Sequence, residues 1–175
     1  MERMGRLGMG KAPNDPSWAR LLALALSGKG DAVGCNAVLR KIAARSPTAY
    51  DQNAYAWDSL IIGVHDDRVL AAARSAVNAA RNSHTLNTLA AVQAARGEVD
   101  AARATLVAAV DLASDGVPRA SDWMIMGQIA QQLGYRVAAY SMYQRVHDDR
   151  GAGQGVYALA QRWLSELATA PAAAP

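Results

Sequence analysis

The pentapeptide Val-His-Asp-Asp-Arg occurs twice, at residues 64–68 and 146–150, and is the strongest candidate for chemistry in the chain. Histidine and aspartate are metal ligands and general acids or bases, so two such segments brought together would form a metal centre. Adjacent helical residues point away from each other, however, and aspartate is common where helices end and turns begin. We therefore interpret both segments as helix ends. Of three candidate functions for this chain, an enzyme with a His/Asp metal site is the least favoured.

Cys35 and the tryptophans are the other candidates. Cys35 could be a reactive thiol, but it occupies a position where other parts of the chain carry alanine, which favours a buried small residue. Trp18, Trp57 and Trp123 could stack on a ligand, although their helical context favours the core. The sequence has no Gly-rich phosphate loop, nucleophile elbow or metal-binding helix motif. We expect no enzyme activity, no catalytic residues, no cofactor and no metal.

The composition predicts an all-α protein. Apolar residues make up 51% of the chain, phenylalanine is absent, and valine and isoleucine do not alternate as they do in strands. The net charge is +3, and residues 1–52 carry eight Lys or Arg against four Asp or Glu. No helix shows a basic stripe interleaved with aromatics, so we expect no nucleic-acid partner.

The single cysteine and the first residues bear on where the protein is located. A single cysteine excludes an internal disulfide framework. The first residues lack the apolar core of a secretory signal, and Leu21–Leu26 is too short to span a bilayer, so we expect no membrane insertion. A cytoplasmic location is the expectation, or a periplasmic or extracytoplasmic one if the chain is a fragment of a longer protein.

Helical hairpins account for most of the chain. Residues 121–146 form two amphipathic segments joined at Leu133-Gly134-Tyr135, and three weaker copies of this pattern precede them. A small residue of the first helix is followed twelve positions later by a small residue of the second in three copies, as in the step from Gly127 to Ala139. The same steps run from Ala23 to Cys35, from Ile61 to Ala73 and from Ala90 to Ala102. Small residues at such positions let helices approach closely.

This pattern resembles the tetratricopeptide repeat, W-x2-L-G-x2-Y followed by A-x3-F, over about residues 16–147. The fourth copy matches best, with Trp123, Gly127, Ala139 and Tyr143. In the second copy Arg68 stands where the turn glycine belongs. The residues that carry the resemblance are Leu22, Cys35, Leu39, Trp57, Leu60, Ala73, Leu89, Ala90, Ala102, Leu106, Trp123, Gly127, Gly134, Ala139 and Tyr143.

The predicted organisation is a flexible lead-in at 1–15, copies near 16–47, 54–82, 83–112 and 120–147, a capping helix at 156–168 and a disordered tail at 169–175. The link at 48–53 separates the first two copies. The starts lie 38, 29 and 37 residues apart, whereas the family repeat is about 34, so we expect an irregular array.

The resemblance implies an α-solenoid of about four hairpins, with a C-terminal helix capping the open end. It also implies that exposed first-helix positions meet a protein or peptide partner in a concave groove. The function expected is therefore a non-enzymatic interaction module. The alternative is a structural or positioning segment of a larger protein or of a homo-oligomer. The matching groove positions are Arg20, Leu24, Asp58, Ile62, His65, Asn87, Ala91, Ala94, Met124, Gln128 and Gln131.

Overall fold

The computed structural model describes residues 1–13, 15–45, 48–113, 116–147 and 154–169. Within these ranges all regular structure is helical, and adjacent helices pack in pairs. The helices are α1 (Glu2–Lys11), α2 (Pro16–Ser27), α3 (Ala32–Ala43), α4 (Ala49–Ile61), α5 (Asp67–Ala79), α6 (Ser83–Ala95), α7 (Val99–Asp111), α8 (Ala120–Gln132), α9 (Arg136–Gln144) and α10 (Gln154–Thr169).

The chain divides into two compact units, Met1–Ala80 and Arg81–Pro175. In the first unit α2 pairs with α3 and α4 pairs with α5, while α1 packs against α2 and α3 against α4. In the second unit α6 pairs with α7 and α8 pairs with α9. There α8 also packs against α6 and α7, and α10 lies on α8 and α9.

The same turn joins the two helices of every hairpin. Gly30, Gly63, Gly97 and Gly134 all have φ between 77° and 80°, a left-handed conformation in which a side chain is strained. In each turn the N–H of the following residue donates to the carbonyl five positions earlier, as Tyr135 does to Ala130 over 2.9 Å. This closure satisfies a carbonyl that the helix end leaves open. The four hairpins therefore share the same turn conformation and the same closing hydrogen bond.

The second hairpin begins earlier than the sequence predicted. Thr48 accepts a hydrogen bond from the Asp51 backbone N–H and caps α4, so the predicted link at 48–53 is helical from Ala49 onward. First helices thus begin at residues 16, 49, 83 and 120, which places successive starts 33, 34 and 37 residues apart. The turn glycine of this hairpin is Gly63, whereas the sequence pattern placed it at position 68, which is occupied by Arg68.

The first residues form a helix, and the predicted flexible lead-in at 1–15 is wrong over Glu2–Lys11. The glycines of α1 face α2 and allow a close approach. A Cβ at Gly5 would lie 2.9 Å from the Leu22 Cβ, and one at Gly8 would lie 2.0 Å from the Trp18 ring. Packing therefore offsets the low helix propensity of glycine.

Small residues fill the contacts between helices. Ala56, Ala73, Ala102 and Ala139 are fully buried, and larger side chains such as Leu60 fill the space beside them. Trp57 and Trp123 keep part of their surface in solvent. In the predicted disordered tail at 169–175, Thr169 belongs to α10. Residues 170–175 lie outside the described residues.

Candidate functional site

The predicted groove positions of the first unit differ widely in exposure. Leu24 and His65 are exposed, and Ile62 is half-buried. Asp58 is buried, so its predicted exposure is wrong. Arg20 is partly exposed, but its guanidinium is committed to a contact within the protein.

The groove positions of the second unit are mostly inside. Asn87 and Gln131 are partly exposed, whereas Ala91, Ala94, Met124 and Gln128 are buried, contrary to the prediction. The reason is packing on several sides, because α6 contacts both α7 and α8, and α8 contacts α6, α7, α9 and α10. A helix with that many neighbours keeps little open surface.

Arg20 joins the first two hairpins through Asp51. Its Nε and Nη2 donate to the two carboxylate oxygens of Asp51 over 2.8 and 2.6 Å, and the Thr48 hydroxyl donates to the same carboxylate over 2.7 Å. These bonds raise the pKa of Arg20, while burial opposes the rise. A bidentate pair of this kind fixes the orientation of two helices as well as their charges.

A polar cluster lies between α3 and α4. The Asp58 carboxylate accepts hydrogen bonds from Cys35 and Asn36, and Asn36 Nδ2 also donates to Ser59 Oγ over 2.8 Å. Burial, with the Asp58 charge in second place, raises the pKa of Cys35 to about 12. The thiol is therefore protonated at neutral pH and unsuited to nucleophilic attack. Cys35 is buried, as its position in the repeat predicted.

Burial also raises the pKa of Asp58, and the hydrogen bonds from Cys35 and Asn36 oppose that rise only in part. The folded state then holds the Asp58 proton more tightly than the unfolded chain does. This contribution to stability is present below the ordinary value of 3.8, declines as the pH rises through the raised pKa, and is constant above it.

Replacing Asp58 by asparagine is expected to stabilise the protein at neutral pH by about 1 kcal/mol, because a neutral amide is less costly to bury than a carboxylate. The gain should shrink as the pH falls toward the ordinary carboxyl range. Urea unfolding at a series of pH values measures it. Asp111→Asn, at an exposed position at the end of α7, is the control. A gain in stability that stays constant with pH would contradict the raised pKa of Asp58.

Tyr143 and two glutamines form the polar core of the fourth hairpin. The Tyr143 hydroxyl lies 2.9 Å from the side-chain oxygens of both Gln128 and Gln131. Since a hydroxyl has one proton, it donates to one of these two oxygens at a time. Burial raises the pKa of Tyr143, which keeps it protonated. Gln128 is thus a structural partner of Tyr143 and not an exposed contact.

Four buried side-chain oxygens form the feature that the sequence prediction missed. Asp58 Oδ2 on α4, Asn87 Oδ1 and Gln93 Oε1 on α6, and Asp122 Oδ1 on α8 have no hydrogen-bond partner in the described part of the chain. All four lie on first helices. In the same ranges no such side-chain atom lies on α3, α5, α7 or α9. We call these atoms the first-helix acceptors. Asn87 and Asp58 were on the predicted groove, whereas Gln93 and Asp122 were not.

The His-Asp-Asp segments behave as helix ends where they are described. Asp66 caps α5, because its side chain accepts from the Arg68 and Val69 N–H groups over 3.0 Å. His65 lies beside the Gly63 carbonyl, on the exposed surface. Asp148 and Asp149 lie outside the described residues, as does Pro47. Among the residues described, no group of three His, Cys, Asp or Glu side chains is placed to hold a metal ion.

Trp123, predicted as a core aromatic, is only partly buried. The Arg145 guanidinium lies over its ring, 4.3 Å from the ring centroid. This cation–π contact joins α8 to the C-terminal end of α9.

No protein-family model, curated protein or solved structure matches the chain. In the ranges described, no helix combines the length and apolar character needed to cross a membrane.

Proposed function

We propose that the protein is a non-enzymatic interaction module, a divergent array of tetratricopeptide-like hairpins that binds a peptide or protein segment through its first helices. The regular chain positions of the first helices support the repeat, since starts 33, 34 and 37 residues apart are close to the family spacing of about 34. The shared left-handed glycine turn supports it as well.

The first-helix acceptors are the observation that carries the proposal. A buried oxygen that makes no hydrogen bond costs about 1–3 kcal/mol, and each such atom in a native structure calls for an explanation, such as an ordered water or a bound partner. Here they are confined, among the hairpin helices described, to the helices that a repeat of this type uses to contact its partner. A bound segment that offers N–H donors would satisfy those oxygens that a side-chain rotation or a small helix movement brings to the surface.

Asn87 is the acceptor best placed to reach a partner. Its Nδ2 donates to Ser121 Oγ over 3.2 Å, a long bond, and the residue is only partly buried. Because the residue is partly exposed, we propose that its side chain rotates on binding and presents Oδ1 to the partner between α6 and α8. The recognised segment would therefore lie across these two first helices, with its backbone or basic side chains as donors.

The test uses peptides selected from a random display library against the immobilised protein. We expect Gln93→Met to keep or slightly raise the unfolding temperature, because it removes a buried oxygen that makes no hydrogen bond, and to weaken the selected peptide about tenfold. Asn87→Ala should weaken it similarly. Arg103→Gln, on the exposed side of α7, is the matched control. Equal binding by all variants would refute the first-helix site.

An assembly role is the alternative, and an exposed apolar surface favours it. Val137 is 86% exposed, and Tyr135 and Tyr140 are also more than half exposed, on or beside α9. Such a surface can hold a second copy of the chain. Light-scattering mass over a concentration series separates the two functions, since the interaction module remains a monomer. A mass that rises with concentration, with no selected peptide, would favour assembly.

A further inference from the structure

Helix α1 turns its side chains outward. Its buried residues are the glycines Gly5 and Gly8, which contact α2, so the bulk of the helix faces solvent. Met4 and Leu7 are 58% and 56% exposed, and Met1 at the end of the helix is 71% exposed. A surface helix normally buries such residues. The outer side of α1 therefore presents apolar side chains that can contact another molecule.

Cations lie beside these apolar side chains. Arg3, Met4 and Lys11 are each within one helical turn of Leu7, and both basic residues are exposed. Glu2, the one acidic residue of α1, is already paired with Arg6 and with Lys29. Lys29 and Arg6 lower the pKa of Glu2, so its carboxylate remains ionised and paired with them. The surface formed by Arg3, Met4, Leu7 and Lys11, which we call the α1 outer face, is therefore apolar at its centre and positively charged at its edges.

An anionic membrane surface fits this arrangement. Interfacial helices place flexible apolar side chains at the boundary between headgroups and acyl chains, and their lysines and arginines against anionic headgroups. A stable protein partner would need about 800 Å² on this side, which a ten-residue helix with three large apolar side chains does not offer. A bilayer needs only the few side chains that enter it.

We propose that the α1 outer face binds anionic lipid surfaces, with Met4 and Leu7 entering the interface and Arg3 and Lys11 contacting lipid headgroups. The contact is reversible and peripheral, since one short helix supplies it. It uses a different helix from those proposed to hold a peptide, so either function can fail without the other.

Co-sedimentation of the full chain with vesicles tests the proposal. We expect binding to vesicles of phosphatidylcholine mixed with phosphatidylserine, little binding to phosphatidylcholine alone, and weaker binding as salt is added. Arg3→Gln with Lys11→Gln should lower the affinity about tenfold or more. Met4→Ser with Leu7→Ser should lower it comparably. All four positions are exposed, and circular dichroism verifies that the variants remain helical.

Matched controls make the same changes elsewhere. Arg40→Gln with Lys41→Gln alters two exposed bases on α3, and Val107→Ser alters an exposed apolar residue on α7. Both should bind like the wild type. Three results would overturn the proposal: no binding to anionic vesicles, an equal loss in the controls, or binding of an acidic amphipathic peptide to the α1 outer face without vesicle binding.

Discussion

Replacing Gly127 by alanine is expected to destabilise the second unit by about 2 kcal/mol, despite the higher helix propensity of alanine. The added Cβ would lie 2.4 and 2.5 Å from two carbons of the Tyr143 ring. That ring is fully buried, its hydroxyl is held by Gln128 and Gln131, and it packs on Trp163 with the ring centroids 5.8 Å apart. Because the ring is fixed on several sides, the two helices must separate to admit one methyl group. Urea unfolding gives the size of the loss, and hydrogen exchange of the α8 and α9 amides gives its place.

Gly10 supplies the matched control for this substitution. No atom lies within 4 Å of a Cβ built there, so Gly10→Ala should leave stability unchanged or raise it slightly. A second control removes the ring instead. In a Tyr143→Leu background the Gly127→Ala change should cost much less, and the double mutant should be more stable than the sum of the single effects predicts. Strictly additive effects would show that the ring is not the obstacle.

Replacing Arg20 by methionine is expected to lower stability by about 2–3 kcal/mol, because the guanidinium that neutralises a fully buried carboxylate is lost. Asp51 is 0% exposed, whereas the Arg20 side chain is 36% exposed. Solvent screening at Arg20 therefore places the loss at the lower end of what breaking a buried pair costs. Thermal and urea unfolding of the variant measure it.

Asp51→Asn in the Arg20→Met background should recover part of this stability, since it removes the buried charge while keeping an oxygen that can accept the Thr48 hydroxyl proton. Arg45→Met, which removes an exposed arginine at the end of the first hairpin, is the control and should change stability little. An Arg20→Met variant as stable as this control would mean that the ion pair adds nothing to the stability of the first unit.

The hairpins follow from the sequence because their signals are local. Apolar residues at helical spacing and left-handed glycines lie within a few residues of the structures they produce. The first eleven residues show the limit of this reasoning. Their glycines predict flexibility when taken alone, but Gly5 and Gly8 are the residues that contact Leu22 and Trp18. A glycine that is favoured by close packing cannot be told from one that loosens the chain until its neighbour is known.

The predicted exposure of several groove positions was wrong for a related reason. The position of a residue on its own helix gives the face on which it lies, but not how many other helices cover that face. Met124 and Gln128 are covered because α8 has four neighbours in its unit. The first-helix acceptors escaped notice because the absence of a hydrogen-bond partner is a property of the assembled structure. Asp122 and Gln93 look in the sequence like ordinary polar residues of a helix.

The order in which helices pack has a consequence for how the chain folds. In the first unit the extensive contacts join consecutive helices, from α1 and α2 through to α4 and α5. Contacts between near neighbours need only short loops to close, which favours rapid folding that can begin at any hairpin. The first unit is therefore expected to fold as it leaves the ribosome, before synthesis of the second unit is complete.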